Sequence, residues 1–271
     1  MEFYKMHGCG NDFCIIEYED NQDYSSLAKK LCNRRLGIGA DGLIIVRKNP
    51  LEMIFYNQDG SRASMCGNGI RCFARYVYEK KIISTKKFDC LTLAGMMRIE
   101  ITSIDPFLCK VDMGKPNFSN SMIHIPDDVK SFGRLLTIDG YFLTIYSFFI
   151  GTIHTVIFVD SLEAEVVKLA EKICKNRLFK KQTNVNFVHL IDENHIEVKT
   201  YERGVGWTLA CGTGACASVV TCAKLKLTKN TVFVKLPYGN LKVEVTKKEN
   251  VIMEGPAVLS YVGQIKECLQ C

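Results

Sequence analysis

Residues 66–80 read CGNGIRCFARYVYEK, and residues 211–225 read CGTGACASVVTCAKL. In both, a Cys-Gly-x-Gly turn runs straight into a helical pattern. Ile70, Phe73, Ala74 and Val77 share one face at helix spacing, as do Ala215, Val219 and Cys222. A single Cys-Gly-x-Gly is an ordinary tight turn. Two of them, each opening a helix in its own half of the chain, mark a duplicated unit.

Strand-like runs rich in Ile, Val, Phe and Tyr surround both helices. Residues 13–18, 43–47, 53–56 and 97–101 flank the first, and residues 196–201, 231–236 and 241–246 flank the second. Further helices are predicted over 25–33 and 161–175. Strands, helix, strands, repeated once, is an α+β order with two similar halves. The Pro, Asn and Ser cluster between Pro116 and Ile123 predicts the boundary. The N-terminal domain is then 1–118, completed by a return of 258–271, and the C-terminal domain is 119–257.

Bulk properties exclude several classes. With 47% hydrophobic residues the chain has ample apolar surface to bury, which argues against disorder. The net charge of +6 comes from thinly spread lysines with no run of five basic residues, so no nucleic-acid face is expected. The apolar run 141–150 is too short to span a bilayer, and residues 1–13 contain no signal-like stretch, so a cytoplasmic protein without membrane contact is expected. The 13 cysteines are an odd number, which fits free thiols in a reducing compartment. Neither Cys66 with Cys72 nor Cys211 with Cys216 has the spacing of a zinc knuckle or a redox dithiol, so no metal is expected at the turns.

A cysteine at a helix start is chemically unlike one in a core. Unpaired backbone N–H groups and the helix dipole favour an anion there and can activate a thiol. The glycines let a ligand approach the backbone, and a carboxylate can sit on the N–H groups. Two such turns facing one cleft suggest Cys66 and Cys211 on opposite sides of an α-carbon. One thiolate would remove the α-proton and the opposite thiol would return a proton to the other face. Such an inversion of a small amino-acid substrate needs no pyridoxal cofactor.

The chain resembles the diaminopimelate epimerase family over nearly its whole length. The resemblance is carried by KMHGCGNDF at 5–13, GIGADGL at 37–43, FYNQDGSRASMCGNGIRC at 55–72, TNVNF at 183–187 and ERGVGWTLACGTGA at 202–215. It implies two pseudo-symmetric domains, each a mostly antiparallel sheet wrapped around a central helix, with the active site in the cleft between them. It implies Cys66 and Cys211 as the acid/base pair, and Gly67, Asn68, Gly212 and Thr213 as holders of the α-carboxylate through backbone N–H groups. Asn11 and Glu202 would lie around the reacting amino acid, and Asn57, Asn184 and Arg203 at its far end. His154 would support a catalytic thiol through Glu202, and a homodimer would be the assembly.

The chain departs from the family at Gly151-Thr152-Ile153-His154, where the family pattern is Gly-Asn-Pro-His, and at Phe179-Lys180, where it is Phe-Pro. Thr152 then takes the place of a distal recognition amide with a shorter hydroxyl. Diaminopimelate, converted from LL to meso, is the expected substrate. Histidine racemisation and lanthionine epimerisation on the same scaffold are the alternatives.

Overall fold

The β-branched and aromatic runs form strands, and both Cys-Gly-x-Gly turns open helices, in a computed structural model that describes residues 1–266. Residues 267–271 of the expected C-terminal return lie outside the described residues. The chain divides into two compact units. One comprises Met1–Val111 with the chain from Glu254 onward, and the other comprises Asp112–Met253.

In the first unit Glu2–Gly8 pairs antiparallel with Asn11–Glu17, which pairs parallel with Gly42–Arg47. Gly42–Arg47 pairs antiparallel with Glu52–Asn57, which takes the short strand Arg62–Ala63 antiparallel and meets Lys87–Thr92 in parallel. Lys87–Thr92 turns back on Gly95–Ile104. In the second unit Tyr141–Ile150 pairs antiparallel with Thr152–Phe158, which pairs parallel with Asn184–Leu190. Asn184–Leu190 pairs antiparallel with His195–Glu202, which takes the short strand Gly206–Thr208 antiparallel and meets Thr231–Leu236 in parallel. Thr231–Leu236 turns back on Gly239–Val245. The two lists of pairings are the same, step for step, and this is the duplicated, mostly antiparallel α+β fold that the twin turns predict.

Each short strand leads into its unit's long helix, Gly67–Glu79 in the first and Gly212–Lys224 in the second. The first buries Ile70, Cys72, Phe73, Ala74, Tyr76 and Val77. The second buries every residue from Gly214 to Cys222, as befits a helix at the centre of a core. Its buried hydroxyls are satisfied within the helix: Ser218 donates to Gly214 O at 2.8 Å and Thr221 to Ala217 O at 2.9 Å. Among the described residues no helix is long and apolar enough to cross a membrane.

Two sequence expectations need correction. Residues 161–175 do not form one helix. A 3-10 turn, Glu165–Leu169, precedes a short α-helix, Ala170–Cys174. The turn carries the β-branched pair Val166-Val167 and its start at Ala164 has no side-chain cap, so continuous α-helix is poorly supported there. The passage between units falls at 111/112 and 253/254, not at 118/119 and 257/258. The reason is hydrogen bonding ahead of the Pro-Asn-Ser cluster. Met113 N–H donates to Val251 O, Val251 N–H donates to Gly114 O, and Asn117 and Phe149 exchange bonds at 2.8 and 2.9 Å. Residues 113–117 are thereby tied to the second unit. The strand Val258–Gln264 pairs with Glu2–Gly8 in the first unit.

Candidate active site

In the first unit Cys66 is the N-cap of the Gly67–Glu79 helix, with extended backbone at φ −134° and ψ 123°. Its sulfur accepts from Gly69 N–H at 3.5 Å, the position of a capping oxygen. The same sulfur donates to Asn11 Oδ1 at 3.5 Å, and Asn68 Nδ2 donates to that oxygen at 3.2 Å. Asn11 Nδ2 donates to Asp41 Oδ2 at 2.5 Å. The structure thus brings Asn11, Cys66, Gly67 and Asn68 together. Asn57 is paired with Gly42, the residue after Asp41, and its amide donates to Ser61 Oγ at 2.9 Å.

A ring of charges surrounds this group. Arg34 donates to Asp12 Oδ1 at 2.7 Å and to Asp41 Oδ1 at 2.8 Å, and Lys5 donates to Asp12 Oδ2 at 2.6 Å. Burial works to raise the Asp12 carboxyl, but the Arg34 and Lys5 hydrogen bonds hold it well below the usual carboxylate range. Arg71, fully buried, donates to Gly67 O at 2.8 Å, Asn68 Oδ1 at 3.0 Å and Pro256 O at 3.0 Å.

In the second unit Cys211 is the N-cap of Gly212–Lys224, at φ −118° and ψ 106°. Its sulfur lies 3.5 Å from Thr213 Oγ1. Burial pushes the Cys211 thiol up and the Glu202 carboxylate beside it pushes the same way, while Thr213 and the Gly214 N–H only partly offset them. Cys211 therefore rests as a thiol. Glu202 accepts from Thr208 Oγ1 at 2.8 Å. Gly151 has φ 68°, and a Cβ there would stand 2.9 Å from Thr213 Cγ2, so that side chain would have to shift. That close approach brings the 151–154 segment to the Cys211 turn.

Arg203 gathers the remaining candidates. Its Nη2 donates to Thr152 Oγ1 at 2.9 Å, its Nη1 to Lys181 O at 2.9 Å, and its backbone N–H to Asn184 Oδ1 at 3.0 Å. His154 is fully buried and accepts at Nδ1 from Asn186 Nδ2 at 3.1 Å, so its proton is on Nε2. Burial lowers its pKa to about 3, which keeps the ring neutral. Nε2 has no hydrogen-bond partner among the described residues, so no direct bond reaches Glu202. The link expected from His154 to a thiol through Glu202 is not made by a hydrogen bond in this structure.

Sequence reading missed Asp41, Asp12, Arg71, Asn186 and Thr200. The first four lie inside the quoted motifs, which was the available signal. Thr200 donates to Asn186 Oδ1 at 3.0 Å and carries no motif of its own. Among the described residues no group of three or more His, Cys, Asp or Glu side chains is placed to hold a metal.

Comparison with known proteins accords with this arrangement. The sequence model of the family described as diaminopimelate epimerase matches residues 3–119 and 146–260. The diaminopimelate epimerase of Caldanaerobacter subterraneus is 44% identical, over 98% of this chain and 100% of its own. That of Clostridium perfringens is 45% identical, over 95% and 96%. Among solved structures, a probable proline racemase from Agrobacterium radiobacter shares the fold at TM-score 0.72 and 13% identity, covering 99% of this chain and 93% of its own. A hydroxyproline epimerase from Agrobacterium vitis does so at 0.71 and 12%, covering 98% and 90%. With the family model spanning most of the sequence and relatives above 40% identity over nearly all of it, the chain belongs to the diaminopimelate epimerase family and is an isomerase.

Proposed function

We propose that this chain interconverts LL- and meso-diaminopimelate with Cys66 and Cys211 as the acid/base pair, in the cytoplasm, as a homodimer and without a cofactor, in the supply of lysine or peptidoglycan. The observation that carries the chemistry is the pair of cysteines each capping a buried helix in matching positions of a duplicated fold. The substrate is supported by the curated names of the relatives. Homodimer and cytoplasm rest on family resemblance.

The α-carboxylate sits on the backbone N–H groups of Gly67, Asn68, Gly212 and Thr213, where the helix dipoles favour negative charge. One thiolate takes the α-proton, the carbanion is stabilised by the same oriented donors, and the other thiol protonates the opposite face. Cys211, resting as a thiol beside Glu202, is the acid when Cys66 is the base, and the roles exchange in the reverse direction. Asn11 and Glu202 flank the reacting carbon. Arg203, with Thr152 and Asn184 holding it, binds the distal carboxylate, and Asn57 serves the same end of the substrate. His154, neutral and buried, supports the 151–154 turn through Asn186.

The test is α-proton exchange with inversion, followed by NMR in deuterium oxide under reductant, on LL-diaminopimelate, L-histidine and L,L-lanthionine. Inversion of diaminopimelate, abolished by Cys66→Ala and by Cys211→Ala, is the expected result. Near-wild-type inversion by either variant sinks the two-thiol scheme. Rapid exchange on histidine or lanthionine with little on diaminopimelate sinks the substrate.

A further inference from the structure

The side-chain amide of Asn11 can face Cys66 in two ways. With Oδ1 toward the sulfur it accepts from the thiol, and with Nδ2 toward it, it donates to the thiolate. The two states of Cys66 are thus favoured by opposite orientations. What surrounds Asn11 permits one orientation only. Asp41 is an acceptor without a proton to give, and its Oδ2 already receives Asn11 Nδ2 at 2.5 Å and Asp12 N–H at 3.1 Å. At the other end Arg71 is a donor without a lone pair, so Asn68 must turn Oδ1 toward it, at 3.0 Å, and Nδ2 toward Asn11, at 3.2 Å. A flip of either amide would set donor against donor or acceptor against acceptor. The chain Arg71, Asn68, Asn11, Asp41 has one polarity, and its middle oxygen is the one 3.5 Å from Cys66 Sγ.

We propose that Asp41 and Arg71 are positioning residues that lock Asn11 with its carbonyl oxygen toward Cys66, giving the protonated thiol a fixed acceptor. This rests on the reading of Cys66 as an acid/base group. Gly69 N–H serves the thiolate at 3.5 Å, so each state of the sulfur has its own partner. A group that must give up and regain a proton in every cycle gains from both. Neither positioning residue needs to touch substrate.

The charged and titratable groups around the turn include Asp12, Asp41, Arg34, Lys5, Arg71 and His7, with the thiols of Cys9 and Cys72 nearby. A test must separate the loss of Asp41's charge from the loss of its grip on Asn11. Asp41→Asn and Asp41→Ala remove the same charge. Only the Asn variant keeps an acceptor for Asn11 Nδ2, because its oxygen will occupy the inner position that two donors face. The Asp41 side chain is 41% exposed and Arg34 stays tied to Asp12 in both variants, so both should fold, which circular dichroism melts check.

The measurement is the pH dependence of Cys66 alkylation by iodoacetamide without substrate, read by mass spectrometry on the tryptic peptide 63–71, whose single cysteine is Cys66. Both variants lower the alkylation pKa through the lost charge. Asp41→Ala lowers it by about a further 0.4 to 1 unit, the size expected for one neutral hydrogen bond. Equal values in the two variants, or a higher one in Asp41→Ala, overturn the proposal. Should Asp41→Ala melt below the assay temperature, the side-chain amide resonance of Asn11 in the wild-type protein decides. It must titrate with the alkylation pKa of Cys66, and a resonance flat through that pH overturns the proposal. Turnover by Cys66→Ala would defeat the function itself. Coinciding alkylation values with an inactive Cys66→Ala would defeat only the positioning role.

Discussion

Gly69 and Gly214 occupy the same place in the two turns, three residues after the cysteine, yet adding one methyl group should have very different consequences. At Gly214 an added Cβ would stand 2.3 Å from Asn186 Oδ1, 2.9 Å from Thr200 Oγ1 and 3.2 Å from Cys211 Cβ. Asn186 is buried, with its amide committed to His154 and to Thr155 O, so it cannot move without breaking those bonds. Overpacking a core costs about 1–3 kcal/mol, and a buried polar group left unsatisfied costs about as much again. The gain in helix propensity from Gly to Ala offsets only about 1 kcal/mol. Gly214→Ala should therefore destabilise by about 2–4 kcal/mol, a fall in Tm on the order of 10 °C. At Gly69 the nearest atoms are Ile44 Cδ1 at 3.2 Å, Cys66 Cβ at 3.4 Å and Phe13 Cε1 at 3.5 Å. The tightest of these is the far end of a flexible side chain, which can give by a few tenths of an ångström. There the propensity gain nearly cancels the packing cost, and Tm should move by less than about 3 °C. Scanning calorimetry of both variants is the assay. Equal shifts, or a Gly214→Ala Tm within about 3 °C of wild type, would refute the reasoning.

Thr152→Val removes the acceptor for Arg203 Nη2 and should raise KM for diaminopimelate about five-fold with kcat nearly unchanged, while Thr152→Ser restores it; a fall in kcat at constant KM counts against this. Glu202→Gln removes the carboxylate that, after burial, does most to keep Cys211 protonated. Alkylation of Cys211 should then begin at lower pH, and an unmoved profile would show that burial acts alone. Burial lowers His154 from 6.5 to about 3, so the unfolded chain binds the extra proton between those values. The stability of the neutral ring is complete above pH 6.5 and is lost as pH falls, by up to about 1.4 kcal/mol per pH unit. Urea unfolding at pH 7.5, 6 and 5 should show a shallower slope for His154→Gln, and parallel slopes would exclude this origin.

The duplication was legible because the Cys-Gly-x-Gly turn is short, local and followed at once by helix-spaced apolar residues. The cysteines were legible for the same reason, whereas Glu202 and Arg203 were marked only by the family resemblance carried by ERGVGWTLACGTGA at 202–215. What the sequence hid depends on contacts across long separations. Asn11 meets Asp41 thirty positions away and Cys66 fifty-five positions away, and no spacing announces either. Nothing in the sequence marks Arg71 as an inward residue, since arginine is rarely fully buried. It is turned inward because the carbonyls of Gly67 and Pro256 and the Asn68 amide await its guanidinium. Thr152 reads as a lost amide. Its hydroxyl nevertheless accepts from Arg203 at 2.9 Å, so the departure from the family pattern keeps a partner for that guanidinium.

The two turns share a backbone and differ in what faces the sulfur. Their N-cap dihedrals agree within about twenty degrees, and both helices run thirteen residues. At Cys66 the facing side chain is a neutral amide whose oxygen accepts the thiol proton. At Cys211 it is a carboxylate, which opposes a second negative charge beside it. In the proposed reaction the face that carries the α-proton decides which thiol is the base, so each sulfur must serve in both states. The neighbours act on how readily each thiol ionises. An accepting amide oxygen at Cys66 and a carboxylate at Cys211 both favour the thiol, the charge more strongly than the neutral dipole. Exchanging the character of those two neighbours should therefore move the alkylation pH of both thiols before it disturbs the fold.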